Sequence, residues 1–271
     1  MWIYKQTVLQ NDISGKIPGK DYYYCDGITW HRYPQDTNIN LAYEGIEDFK
    51  KSIVKCKAKV DFVNAKHNRS GNDALGWGIG EYNAKGGPQV HTWENGQMFG
   101  GILNLCMQYG ATFAATWSMF ENGGNRKGTD FSSIDGANMT PRPTYRHMQM
   151  IAKNFKGIYA EGKSSLSDII TFGSVDGNNI SVMIINRTNK PATFTLHLNK
   201  NIVADNTETT LNIDANSAIV HTGTIEALAT HNYVFKNNEI VRTVYTNQHF
   251  INEKAPEESK LKNLWIFKNK F

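Results

Sequence analysis

Short apolar runs alternate with amphipathic stretches through the first 158 residues. The apolar runs predict three strands, at Tyr22–Trp30, Leu75–Asn83 and Ala111–Met119. The second run has no polar face, which is typical of a strand in a buried parallel sheet. Apolar positions at helical spacing predict helices at residues 42–63, Gly96–Gly110 and Pro143–Phe155. The order strand, helix, strand, helix, strand, helix favours βαβ units and an α/β fold.

The second half of the chain changes period. Short strands separated by turn residues are predicted at residues 168–175, 179–187, 192–198, 208–213, 218–225 and 231–236. This pattern predicts an antiparallel β-sandwich from about Lys163 to His249. We therefore divide the chain into an α/β part at residues 1–158, an all-β domain at 159–250 and a tail at 251–271. The tail is charged and then apolar, and its pattern favours no structure.

Composition excludes several classes of protein. The 271 residues are 40% hydrophobic and 11% aromatic, enough to bury a core, so a wholly disordered chain is excluded. The net charge is +4, but the lysines are scattered and form no basic stripe, so a nucleic-acid partner has no support. No run approaches the roughly 20 apolar residues of a membrane span. The three cysteines are too few and too far apart for a disulfide framework or a zinc site.

Polar and aromatic side chains follow each of the three predicted strands. They are Trp30, His31, Arg32 and Tyr33 after the first, Glu81 and Asn83 after the second, and Trp117 and Glu121 after the third. Because the carboxyl ends of parallel strands meet at one edge, we expect these side chains to share a rim. Trp93 is expected either to pack in the core or to line a cleft at this rim.

Glu81 is the sharpest candidate in this group. A carboxylate directly after the apolar run GWGI is costly to bury unless it is paired, hydrogen-bonded or functional. The plain alternative is a surface carboxylate in a loop or helix cap. His31 could donate a hydrogen bond to a ligand or to Glu81. Trp117 could belong to the core, or it could stack on the apolar face of a sugar.

These motifs resemble strands six, seven and eight of the (β/α)8 barrel in clan A glycoside hydrolases. The resemblance rests on WHRYP at Trp30–Pro34, GEYN at Gly80–Asn83 and TWSMFENGG, which begins at Thr116. It implies that Glu81 is the catalytic nucleophile and that His31 and Tyr33 contact the nucleophile or the sugar. It also implies that Trp117 floors the subsite before the scissile bond. The sandwich would then pack on the barrel as a buttress.

Within the clan, the motifs most resemble glycoside hydrolase family 86, the β-agarases and β-porphyranases. Families 39 and 51 have similar segments at strand six and remain open. The resemblance implies retaining endo-hydrolysis of a red-algal galactan in a cleft lined by Trp30, Tyr33, Trp93 and Trp117. The residues expected to bind substrate are Trp30, His31, Arg32, Tyr33, Asn83, Trp93, Trp117 and Glu121. Arg32, Lys85 and Arg126 could contact sulfate groups on such a substrate. It implies no cofactor and a secreted, periplasmic or cell-surface location.

The chain departs from the clan's pattern in one respect. A (β/α)8 barrel takes about 250 residues, and the first strand that we can place resembles the sixth. The clan's acid/base glutamate follows an asparagine at the end of strand four, and no Asn-Glu pair precedes HRYP. We therefore expect a C-terminal part of a longer enzyme, inactive alone because its acid/base is absent. Glu121 corresponds to a loop residue in the pattern and is not assigned that role.

Three other functions remain open. One is an exo-acting clan A glycosidase that resembles xylosidases or arabinofuranosidases. Another is a non-catalytic glycan-binding protein, for which the same aromatic rim would hold sugar without cleaving it. The third is an unrelated α/β domain fused to an immunoglobulin-like adhesion module, in which Glu81 is only a helix cap.

Overall fold

The structure, a computed structural model, describes residues 14–34, 42–121, 130–177, 179–198, 219–236 and 239–261. The predicted strand at 208–213 and the side chain of Arg126 lie outside the described residues.

The first half consists of three strands that alternate with three helices. The strands are β1 (Gly27–Arg32), β2 (Gly76–Tyr82) and β3 (Phe113–Thr116), and the helices are α1 (Ala42–Lys66), α2 (Trp93–Gln108) and α3 (Pro143–Asn154). The strands form one sheet in the order β1-β2-β3, and both pairings are parallel. The predicted strands and helices are therefore confirmed, although β1 begins five residues later than the apolar run. Tyr22 and Tyr24 precede it and are exposed.

The core of this half lies between the sheet and its helices. Phe49 and Ile53 of α1 are fully buried, and they share one apolar cluster with Ile79 of β2 and Phe99 of α2. Because side chains of a strand alternate between faces, Gly78 lies on the opposite face of β2. Its neighbour there is the ring of Phe113, which is 47% exposed.

The second half is antiparallel. Six strands form one sheet: β4 (Ile158–Glu161), β5 (Ile169–Asp176), β6 (Asn179–Asn186), β9 (Ala229–Lys236), β10 (Glu239–Thr246) and β11 (Glu257–Leu261). Their order across the sheet is β11-β10-β9-β6-β5-β4, and two more strands form a separate antiparallel pair. The pair is β7 (Ala192–Leu198) and β8 (Ile219–Ile225), and a short helix α4 (Asn247–Ile251) follows β10. Because β11 pairs with β10, this sheet continues past residue 250 into the segment that the sequence left unassigned.

The six-stranded sheet has two buried faces. On one face, Tyr233 and Phe235 of β9 pack with Phe194 and Leu198 of β7, which makes the two sheets a sandwich. On the other face, Phe172 and Met183 share a cluster with Trp93, Met150, Ile151 and Tyr245. This second cluster joins the sheet to α2 and α3, as expected for a buttress.

The described residues contain no helix that is both long enough and apolar enough to cross a membrane. All three cysteines are free thiols, with Cys56 and Cys106 buried and Cys25 half-buried. Burial raises the pKa of the Cys56 and Cys106 thiols to about 12.

Buried polar side chains cross the contact between the two halves. The Gln97 side chain donates to the carbonyl oxygens of Asn186 and Ala229, at 3.1 and 3.2 Å. His147 Nδ1 lies 2.8 Å from the Pro143 carbonyl oxygen, so it carries the proton and donates. His147 Nε2 lies 2.9 Å from Thr230 Oγ1, whose hydroxyl can then donate to it. Burial lowers the pKa of His147 to about 4 despite the Pro143 hydrogen bond.

Acid should weaken the protein through His147. The unfolded imidazole titrates near its ordinary pKa of about 6.5, whereas the folded one stays neutral down to about 4. Between these values the unfolded chain binds more protons, so the free energy of unfolding falls as the pH falls. We expect His147 to account for a loss of about 2 kcal/mol between pH 8 and pH 5.

The measurement is urea unfolding at several pH values, for the wild type and for His147→Gln. Glutamine cannot titrate but can still bond to Thr230, so the variant should lose less stability in acid. Parallel curves for the two proteins would show that His147 does not bind a proton on unfolding.

Candidate active site

A β-bulge at the end of β2 sets the direction of Glu81. Along β1, Trp30 pairs with Ile79 but the next residue, His31, pairs with Glu81, so β2 contains one extra residue, Gly80. The pairing with β3 shows the same irregularity between Ile79 and Tyr82. Residues that pair across parallel strands lie on the same face, and the bulge therefore puts Glu81 beside His31. Tyr82 returns to the face that packs on the helices.

The same arrangement leaves little space for a side chain at position 80. A Cβ atom there would lie 3.1 Å from two ring atoms of His31 and 3.2 Å from Thr29 Oγ1. A larger residue would have to displace the imidazole that lies next to Glu81. Gly80 therefore permits the close approach of His31 to the strand.

The Glu81 carboxylate is held through one oxygen. The Tyr33 hydroxyl donates to Oε2 at 2.6 Å, and His31 Nδ1 lies 3.2 Å from the same oxygen. Among the residues that the structure describes, Oε1 has no hydrogen-bond partner. The Glu81 side chain is 25% exposed, so the carboxylate is partly open to solvent.

Tyr33 is a neutral donor between two acidic groups. Burial raises the pKa of the Tyr33 hydroxyl well above its usual range, and the hydrogen bond and charge of Glu81 raise it further. The charge of Glu121 adds to this effect, which places both carboxylates in the electrostatic surroundings of one phenol. The Tyr33 ring also packs edge-on against Phe131, with ring centroids 5.5 Å apart.

Asn83 is a structural residue at this rim. It is fully buried, and its side-chain amide donates to the carbonyl oxygens of Trp117 and Phe131, at 2.6 and 3.1 Å. Its Oδ1 accepts from the amide of Asn95 at 2.9 Å. Asn95 lies in the first turn of α2 and also donates to the carbonyl of Val90. The Asn83 amide therefore holds Trp117, and the contact between Asn83 and a substrate stays a prediction.

Trp117 follows β3 and is exposed at the same end of the sheet. Its backbone N–H donates to the carbonyl of Tyr82 at 3.0 Å, and Tyr82 is the residue that follows Glu81. The peptide bond to Ser118 is cis, and the indole is 41% exposed. The ring is thus available to a ligand at the rim.

Three predicted site residues lie elsewhere. Trp30 stacks on Trp77 in the helix-facing core, with ring centroids 5.4 Å apart. Arg32 pairs with Asp48 of α1. Trp30 and Arg32 lie on the opposite face of the sheet from His31, because successive side chains of β1 point to alternate faces. Trp93 is 2% exposed and packs between His147 and Tyr245, so it lies in the contact with the sandwich rather than in a cleft.

Glu121 closes the base of the loop that follows Trp117. Its Oε2 accepts from the backbone N–H of Phe131 at 3.2 Å, and its own N–H donates to Ser132 Oγ. These contacts explain its position near Tyr33 without a catalytic role. Asn95, by contrast, was not anticipated, although its position three residues after the helix-capping Thr92 marks it as a residue of the first turn.

The assembled site is a carboxylate with one fixed oxygen, a phenol donor, an imidazole and an exposed indole. In the described part of the chain, no group of three or more His, Cys, Asp or Glu side chains is placed to hold a metal ion. A carboxylate so placed can act as a nucleophile or as a base.

Comparisons by sequence found no match, either among the models of protein families or among curated proteins. Solved structures do match. The chain is similar to the GH51 α-L-arabinofuranosidase from Thermotoga petrophila RKU-1, with a TM-score of 0.55 and 12% identity over 86% of this chain and 53% of that one. It is also similar to a GH30 endoxylanase from Clostridium papyrosolvens C71, with a TM-score of 0.45 and 13% identity over 78% and 49% of the two chains. A GH86 protein in complex with neoagarooctaose gives a TM-score of 0.43 and 16% identity over 80% and 40%.

These neighbours are clan A glycoside hydrolases of several families, and no single family stands out. The chain spans about half the length of the solved structures that it resembles. At these identities the similarity concerns the fold, and it agrees with part of a (β/α)8 barrel followed by an antiparallel sheet.

The bond between Tyr33 and Glu81 predicts how the phenol titrates. In Glu81→Gln the charged acceptor is lost, so the pKa of Tyr33 should fall towards its ordinary value. It should remain somewhat raised because burial is the larger cause. The measurement is an NMR titration of tyrosine labelled with ¹³C, with the Tyr33 signal assigned from Tyr33→Phe.

The control for this titration is Glu121→Gln. Its charge is the smaller electrostatic cause, so this variant should lower the pKa of Tyr33 less than Glu81→Gln does. Equal effects of the two substitutions, or no effect of Glu81→Gln, would contradict the hydrogen bond.

Proposed function

We propose that this chain is part of a retaining glycoside hydrolase in which Glu81 is the nucleophile. The observation that supports this most is that the contacts to the Glu81 carboxylate involve only one of its two oxygens. Tyr33 and His31 both contact Oε2, while Oε1 has no partner among the described residues. A nucleophile needs one oxygen fixed and the other directed at the reacting carbon.

The proposed reaction is a double displacement. Oε1 of Glu81 attacks the anomeric carbon and forms an ester, while the glycosidic oxygen leaves and takes a proton from a general acid. Water then attacks the same carbon, gives its proton to that group acting as a base, and returns Glu81 as a free carboxylate. Tyr33 donates to the carboxylate before and after this step, and its raised pKa keeps it protonated throughout.

The general acid is proposed to come from outside the described residues. Retaining enzymes place their two carboxyl groups about 5–5.5 Å apart. Glu121 shares the neighbourhood of Tyr33, but its Oε2 is engaged by the backbone of Phe131. This assignment agrees with the expectation that the acid/base glutamate belongs to an earlier barrel strand.

The proposed substrate is a polysaccharide, and the motifs favour a red-algal galactan such as agarose or porphyran cleaved at internal bonds. Trp117 would form the sugar platform, with His31 beside the nucleophile. Arg32 gives no support to a sulfate contact because it pairs with Asp48. A polysaccharide substrate fits a secreted, periplasmic or cell-surface protein.

One observation favours a second candidate. Of the three structures described above, the α-L-arabinofuranosidase has the highest TM-score. This similarity is in line with an exo-acting enzyme of the arabinofuranosidase type. The same Glu81 chemistry would serve both, so the two candidates differ in the sugar and in whether internal or terminal bonds are cleaved.

Covalent labelling can test the nucleophile without the missing acid. The reagent is a dinitrophenyl β-galactoside with fluorine in place of the hydroxyl next to the anomeric carbon. Dinitrophenolate leaves without a proton, and the fluorine slows hydrolysis, so a glycosyl ester should accumulate on Glu81. Intact-mass and peptide mass spectrometry should find one adduct per chain, located at Glu81.

Two variants control the labelling. Glu81→Gln should take up no label, whereas Glu121→Gln should be labelled at a rate within about threefold of the wild type. The matching arabinofuranosyl reagent distinguishes the second candidate. An adduct on another residue, or equal labelling of Glu81→Gln, would refute the assignment. Unmodified agarose should release no reducing ends with this chain alone, since its leaving group needs the acid.

A further inference from the structure

A second concave site lies away from the Glu81 carboxylate. It is a cavity of about 310 Å³ where the loop at residues 130–142 meets the segment that leaves β10. Among the residues that line it are His91, Asp135, Arg142, Tyr245, Phe250 and Lys254. Nothing in the proposed reaction uses this cavity.

One wall of the cavity is fixed by Arg142. Its guanidinium is almost fully buried and donates to the Ser132 carbonyl, to Asp130 and to Asp135, at 2.7, 2.8 and 3.1 Å. His91 Nε2 donates to the Asp130 carbonyl at 2.8 Å, which joins the short helical turn at residues 88–91 to the same loop. The polar wall is therefore formed before any ligand arrives.

The opposite wall is aromatic and equally well anchored. The Tyr245 ring is buried, with its centroid 4.8 Å from that of Trp93. Phe250 belongs to α4, whose first turn is capped by reciprocal hydrogen bonds between Thr246 and His249. The backbone of Lys254 bonds back to the His249 carbonyl at 2.8 Å, so the turn after the helix is also held.

The charges of the lining balance. Two carboxylates, Asp135 and Glu253, face two cations, Arg142 and Lys254. The guanidinium is already bonded to Asp130 and Asp135, so it is not available as an anion receptor. A ligand that carries net charge would gain little here, whereas a neutral ligand with many hydroxyl groups would find both donors and acceptors.

We propose that this cavity binds a neutral sugar unit of a polysaccharide. Phe250 supplies apolar surface for the C–H groups of a sugar ring, and the side-chain amide of Asn138 and the hydroxyl of Thr140 supply hydrogen-bonding groups for its hydroxyls. The volume lies at the small end of ligand pockets, which suits one or two sugar rings. The site goes beyond the proposed function because it needs neither Glu81 nor an acid/base.

The loop at residues 130–142 contributes residues to both sites. The loop contacts Tyr33 through Phe131 at the nucleophile, and it lines the cavity through Asp135.

The experiment follows backbone and side-chain amide signals of the whole chain by ¹H–¹⁵N NMR during titration with neoagarotetraose and with xylotetraose. We expect saturable shifts in residues 135–142 and 245–254, with a Kd of about 1 mM, as is usual for a small open site. The shifts should persist in Glu81→Gln and in Trp117→Ala. Sodium sulfate and calcium chloride, the probes for an anion site and a cation site, should leave these residues unshifted.

Two variants of the cavity decide the outcome. Phe250→Leu keeps an apolar side chain without a ring face, and Asn138→Ala alters an exposed residue that can be removed without disturbing the core. Each should weaken binding about tenfold while leaving the labelling of Glu81 unchanged. The proposal is overturned if the sugars shift only residues near Trp117, if only the ions shift the cavity, or if neither variant weakens binding. Failure of Glu81 labelling would refute the nucleophile and would leave this result intact.

Discussion

The extra residue in β2 determines which face of the sheet carries the Glu81 carboxylate. With regular alternation from Ile79, Glu81 would share the helix-facing side of the strand, where an unpaired carboxylate costs several kcal/mol. The bulge at Gly80 turns Glu81 towards His31 and Tyr33 instead. It also returns Tyr82 to the core, where its ring contacts Phe49 and Phe99. One inserted residue therefore places Glu81 at the candidate site and Tyr82 in the core.

A pair of buried, hydrogen-bonded amide side chains connects the rim to helix α2 and to the loop after β3. Asn83 lies three residues after Gly80, and it links the carbonyl of Trp117 to Asn95 in the first turn of α2. Neither amide can face solvent, since both residues are fully buried. Loss of one partner would leave buried polar atoms unpaired, which is more costly than the loss of one hydrogen bond in water. Trp117 is exposed, yet its backbone is held by buried contacts.

Sequence patterns predicted the strands, the helices and the position of Glu81 at the end of a buried strand, because apolar periodicity and a carboxylate after an apolar run are local signals. They did not predict the bulge, which depends on how two neighbouring strands pair. For the same reason they placed Trp30 and Arg32 beside His31, although adjacent residues of a strand face opposite sides. Trp93 is buried by the sandwich, a contact between residues far apart in the chain. The roles of Tyr33 and Trp117 in binding a sugar follow from the resemblance to clan A glycoside hydrolases and stay predictions.

The sandwich gives the rim a rigid support on the side away from the nucleophile. Trp93 begins α2 and packs on Tyr245 and His147, while Gln97 one turn later bonds to backbone carbonyls of β6 and β9. Asn95 lies between these anchors and holds Asn83. The six-stranded sheet is therefore coupled to Trp117 through a continuous chain of buried contacts. The sandwich therefore contacts the helix that holds the rim through Asn95 and Asn83, in addition to the apolar contacts that it adds to the core.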